Sequence, residues 1–153
     1  MLGYTRIGRP VSACVSFVRN RDIDGDELPA IVADAKAKGV VCAYLDYLQM
    51  RGAPGHIGDH IARVLKLNHP PYGRAHNPWI PFSDDLIALS NRVNGMALII
   101  DNSEVYLNEN PRDLFDLTES FLLEFHHWFE KRKPCHLCFQ MEQNELIRLT
   151  FAE

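Results

Sequence analysis

The run Met96-Ala97-Leu98-Ile99-Ile100, set between the turn pair Asn94-Gly95 and Asp101, is apolar at every position. A strand with one face in water alternates apolar and polar residues; a run without polar positions fits a strand covered on both faces of a sheet. That single segment implies a layered α/β molecule with helices packed against a sheet.

The flanking segments supply the other layers. Val11 to Val18 and Val40 to Asp46 are short runs rich in β-branched and apolar residues, and read as strands. Between them, Asp26 is a candidate N-cap, Pro29 is tolerated in a first turn and Gly39 closes the helix. Ile57, Ile61, Val64 and Leu65 recur at helical spacing, predicting a helix that ends near Leu67. From Asn68 to Pro81 there are five prolines or glycines, predicting an irregular exposed loop, after which Ser83 caps a short helix over Asp84 to Asn91.

Asn110-Pro111 is a helix start with Asn as cap and Pro at the first helical position. The following helix places Leu114, Leu117, Phe121, Leu122, Phe125, Trp128 and Phe129 on one broad stripe, and Pro134 stops it. Cys135 to Met141 and Glu145 to Phe151, joined by a polar turn, then read as a closing hairpin. The expected fold is one α/β domain over residues 1–153, its mostly parallel central sheet flanked by helices and completed by a C-terminal hairpin.

At 153 residues the chain can bury a sizeable core without a metal or disulfide staple. Its longest aliphatic run is far too short to cross a bilayer, and MLGYTRIGRPVSAC lacks a signal-peptide core, so a cytoplasmic protein with reduced thiols is expected. A net charge of −4 without clustered Lys and Arg disfavours direct nucleic-acid binding and favours a basic partner.

Cys135-His136-Leu137-Cys138 invites a metal assignment. In an extended segment, however, the two thiols point to opposite faces about 10 Å apart, too far for one tetrahedral ion. His126 and His127 are neighbours on a helix and face directions about 100° apart. Asp22-Ile-Asp24-Gly25-Asp26 resembles a calcium loop, but twelve residues on from Asp22 or Asp24 stands Ala33 or Ala35 where a bidentate Glu is needed. No nucleophile elbow, HExxH or phosphate loop is present; Gly52 to Gly58 lacks the Lys-Ser/Thr ending. Neither catalytic residues nor a metal or cofactor are expected.

One segment is harder to assign to packing: Pro70-Pro-Tyr-Gly-Arg-Ala-His-Asn-Pro-Trp79, followed by Asp84-Asp85. Tyr, Trp and Arg beside carboxylates have the composition of an interface hot spot. The alternative is that Trp79 and Phe82 fold back and cover a sheet edge.

These residues resemble the barstar family of small ribonuclease inhibitors over nearly the whole chain. Leu65 to Gly73 is similar to its helix end and aromatic-Gly loop, Asn77 and Asp84-Asp85-Leu86 to its acidic helix start, and Met96 to Asp101 to its central strand. The helix from Asp113 to Arg132, leading through Pro134 into Cys135 to Cys138, is similar to its end. The chain departs from the pattern by a longer loop, at Ala75-His76 and Pro78 to Ser83, and by Ile87 to Leu89 where an aromatic and a second acid are usual.

The resemblance implies a non-enzymatic immunity protein that blocks a basic toxin nuclease. Asp84 and Asp85 would mimic phosphates, Tyr72 and Trp79 would serve as aromatic anchors, and Arg74 and Asn77 as contact or loop-ordering residues. The alternatives are a small hydrolase using His69 or His76, and an interaction domain with no toxin partner.

Overall fold

A computed structural model describes residues 15–19, 27–68 and 70–141. The elements are β1 (Val15–Arg19), α1 (Glu27–Ala37), β2 (Val40–Asp46), the short α2 (Tyr47–Met50) and α3 (Ile57–Leu65). A single 3-10 turn (Tyr72–Arg74) follows, then α4 (Trp79–Arg92), β3 (Gly95–Asp101), α5 (Ser103–Glu109), α6 (Pro111–Glu130) and β4 (Cys135–Met141).

The strands form one sheet in the order β1-β4-β3-β2, every neighbouring pair parallel. Parallel crossovers are right-handed, so steps in opposite directions across a sheet place their helices on opposite faces. That rule organises the molecule. β2, β3 and β4 advance stepwise, and α3, α4, α5 and α6 cover one face; β1 to β2 runs the whole width the other way, and α1 covers the other face.

The apolar β3 run explains both cores. Met96, Leu98 and Ile100 point into the larger one, with Phe82, Leu86, Phe121 and Trp128, while Ala97 and Ile99 point into the smaller one, with Ala35 and Val40. Gly39 closes the turn after α1 at φ +78°, a conformation that side chains disfavour, and a Cβ there would lie 2.6 Å from Asn94 Nδ2. Asn94 in turn donates to Gly39 O and, through its side chain, to Lys38 O, tying the α1 turn to the start of β3.

Cys135 and Cys138 are extended and belong to different cores, Cys135 in the larger and Cys138 in the smaller, as their spacing predicts. Burial pushes the Cys138 thiol up to about 11 even though Ser16 donates a hydrogen bond to its sulfur at 3.3 Å. The His126 and His127 rings touch, centroids 3.9 Å apart, yet no group of three or more metal-ligating side chains occurs among the described residues.

Three expectations need correction. Both edges of β4 are occupied by parallel neighbours, β3 on one side and β1 on the other, which leaves no edge along Leu137 to Phe139 for a hairpin partner. Residues 145–151 themselves, like Val11 to Cys14, Asp26 and His69, lie outside the described residues. The short helix expected from Asp84 begins instead at Trp79 and absorbs Pro81 and Ser83 into its first turns. Leu122 and Phe129, assigned to the core stripe of α6, are more than half exposed, whereas Leu114, Leu117, Phe121 and Trp128 are buried. No described helix is long and apolar enough to cross a membrane.

Candidate functional site

The long connection after α3 is shorter and more ordered than its composition suggests. Lys66 adopts the left-handed conformation and caps α3, its N–H donating to Ala62 O. Tyr72 then turns inward. Its backbone N–H donates to Asp59 Oδ1 at 2.6 Å and its hydroxyl donates to Asp85 Oδ2 at 2.5 Å. Burial, reinforced by the Asp85 carboxylate, raises the Tyr72 phenol well above its ordinary value.

The α4 start is built by Asn77-Pro78. Pro78 already has helical dihedrals (φ −61°, ψ −26°), and Asn77 Oδ1 accepts the Trp79 N–H at 3.1 Å. An Asn-Pro pair also opens α6, where Asn110 Oδ1 accepts from Asp113 N–H, three residues on rather than two. Helical phase then decides which side chains face out. Trp79 and Phe82 pack edge to face at 5.2 Å, Phe82 meets the Tyr72 ring at 5.7 Å, and Trp79 meets His56 at 5.0 Å.

The expected hot spot is therefore divided. Tyr72 is 1% exposed, Asp85 2% and Trp79 8%, so the two aromatic anchors and one of the two carboxylates serve as scaffold. Aromatic rings bury large apolar areas, and this cluster gains more from the core than from water. Asp84, Arg74 and Asn77 stay exposed. Asp84, Asn77 and the rim of Trp79 line an open groove between the start of α4 and α6, with a volume of about 770 Å³; Arg74 is not among its lining residues.

The far wall of that groove comes from α6. Asp113, Asp116, Glu119 and Glu124 line it and, with Asp84, set five carboxylates against one guanidinium, Arg112. Two exposed apolar side chains, Ile80 (62%) and Leu123 (60%), lie between them. Sequence reasoning missed this wall, although Asp113, Asp116 and Glu119 recur every three residues on one helix, a spacing that brings side chains together.

His56 anchors the end of the groove. Its Nδ1 accepts the Gly58 N–H at 3.0 Å, capping α3, so the neutral ring carries its proton on Nε2, which lies 3.6 Å from Asp113 Oδ1. Nδ1 is taken up by the α3 cap, while Nε2 faces Asp113 from beyond hydrogen-bond distance. Asp113 also accepts the Tyr106 hydroxyl at 2.9 Å, and Tyr106 stacks on Tyr47 at 4.5 Å. Burial, then the Asp113 charge, raises the Tyr106 phenol strongly.

No protein-family model matches this chain, and no curated protein matches it in sequence.

Proposed function

We propose that the chain is a non-enzymatic inhibitor that inserts its acidic α4/α6 groove against the basic cleft of a nuclease, holding that enzyme silent as an immunity protein does. The observation that carries the reading is the concentration of Asp84, Asp113, Asp116, Glu119 and Glu124 around one open groove. A nuclease cleft must present cationic side chains to hold phosphates, and fixed carboxylates occupy the same positions. The resemblance in sequence to the barstar family supports the reading, through the Tyr72-Gly73 pair and Asn77 ahead of the helix that carries Asp84.

The phosphate-mimic role falls to Asp84 and the α6 carboxylates, while Asp85 and Tyr72 hold the wall in place. Co-expression with a toxic nuclease that carries a basic active-site cleft tests the proposal. The Asp84→Lys/Glu119→Lys double variant should fold normally by circular dichroism yet lose both the complex and cell survival. Undiminished protection by that variant would count decisively against the groove.

A further inference from the structure

Half of the sixteen Lys and Arg residues gather at one end of the molecule, although the chain scatters them from Lys36 to Lys133. Each sits where a helix closes. Lys36 and Lys38 end α1, Arg63 and Lys66 end α3, Arg92 ends α4, and Lys131 to Lys133 end α6. Because every strand is parallel, α1, α4 and α6 all close at the edge where β2, β3 and β4 begin. Hydrogen bonds tie the four ends together: Asn94 Nδ2 donates to Lys38 O, Arg92 Nη2 to Lys66 O at 3.3 Å, and Lys131 Nζ to Asn91 Oδ1 at 2.6 Å.

Compensation of the helix dipoles does not use up this charge. The carboxylates at these ends are Glu130 and Asp34, which Lys38 holds at 2.7 Å; Glu124, further back on α6, faces His127 at 3.5 Å. Each of the four helix ends brings about half a negative charge, and the cations still exceed these and the two carboxylates by about four charges. Arg92, Lys131 and Lys133 donate to carbonyl and side-chain oxygens that are neutral, so their hydrogen bonds cancel no charge. The side chains of Arg63, Lys66 and Arg132 are exposed and have no partner among the described residues.

We infer that this end binds the phosphate backbone of a single-stranded nucleic acid, with the Phe129 ring as a stacking platform for one base. Phe129 is 53% exposed on the last turn of α6, and its carbonyl accepts the Arg132 N–H at 2.9 Å, so the ring borders the cations. Among the described residues no other large exposed apolar side chain lies at these helix ends. A protein partner needs a wider apolar centre, whereas a single strand needs cations for its phosphates and a flat ring for a base. The acidic groove does not oppose this. Asp84 and Glu124 come nearest, about 10–12 Å of helix from Arg92 and Lys131, already beyond the Debye length of about 8 Å at physiological salt.

Anisotropy of a fluorescein-labelled oligothymidine of about 12 nucleotides reads the binding. Neutralising about four phosphates of a single strand gives a slope of about −3 in log affinity against log salt, so affinity should fall about fiftyfold between about 50 and 200 mM sodium chloride. Lys66→Gln/Arg132→Gln should reduce the size of that slope by about 1.4, a change that helix capping alone would not produce. Phe129→Ala should weaken binding about tenfold at every salt concentration and leave the slope alone. Asp84→Lys/Glu119→Lys should also leave the slope alone, so this inference and the proposed function fail separately.

No anisotropy change at the lower salt, or an unchanged slope in Lys66→Gln/Arg132→Gln, would overturn the inference. So would binding to mixed phosphatidylcholine and phosphatidylserine vesicles but not to the oligonucleotide. Light scattering that shows oligomers dissolved by Asp84→Lys/Glu119→Lys would overturn it too, by seating the cations in the groove of another copy. If Lys66→Gln/Arg132→Gln fails to fold by circular dichroism, the slope of the unsubstituted chain and the Phe129→Ala result still decide.

Discussion

Asp84 and Asp85 are adjacent in sequence and opposite in role. Successive residues on a helix point about 100° apart, so one faces the groove and the other the core. Within that core the Tyr72 hydroxyl donates to Asp85, and removing the donor takes a hydrogen bond from a buried carboxylate. Tyr72→Phe should therefore cost about 1–3 kcal/mol in urea unfolding with little change in the groove's charge. Asp85→Lys should prevent folding, because it buries a cation among Tyr72, Phe82 and Leu86, whereas Asp84→Lys should be tolerated. The phenols of Tyr72 and Tyr106 also make a pH prediction. Both are raised above their ordinary value, so the folded state keeps its protons where the unfolded chain releases them. Their contribution is fully present below about pH 10 and is lost as pH rises above it. Denaturant midpoints should fall between neutral and strongly alkaline buffer, and tyrosinate absorbance should appear together with unfolding rather than before it.

At the level of elements, the Asn-Pro pair matters more than the loop around it. Asn77 and Asn110 each cap a helix that forms one wall of the groove. Replacing Asn77 by Ala should cost about 1 kcal/mol through the lost cap, seen as a lower melting temperature. It should also weaken partner binding, because Asp84 is carried on the helix whose start is loosened. Gly39 makes the complementary case for a turn. Gly39→Ala meets both a positive φ and the Asn94 amide, and should destabilise by more than the roughly 1 kcal/mol of an ordinary Gly-to-Ala effect.

For the whole molecule, net charge and its placement are separate facts. A charge of −4 spread evenly would steer little; carboxylates gathered in one groove focus a field on one approach direction. Association with a basic partner should slow steeply as salt rises, and a reversal at Asp84 should act mainly on the association rate, measurable by stopped flow. The sheet order adds rigidity to that surface: α4 and α6 pack on one face of three consecutive parallel strands, so the two walls of the groove rest on a common support.

The sequence alone determined the layer type, because a strand such as Met96 to Ile100 with no polar position fits only between two covered faces. It also determined the opposed thiols of Cys135 and Cys138, which follow from two-residue periodicity, and the α6 start at Asn110-Pro111. It did not expose the related start at Asn77-Pro78, since the surrounding prolines and glycines outweighed the Asn-Pro pair in a local reading, and the helix was placed five residues late. Which rings turn inward, which of two neighbouring aspartates stays wet, and which α6 carboxylates join Asp84 were decided by tertiary packing. Each depends on the phase of one helix against another, a quantity set by contacts between segments far apart in the chain.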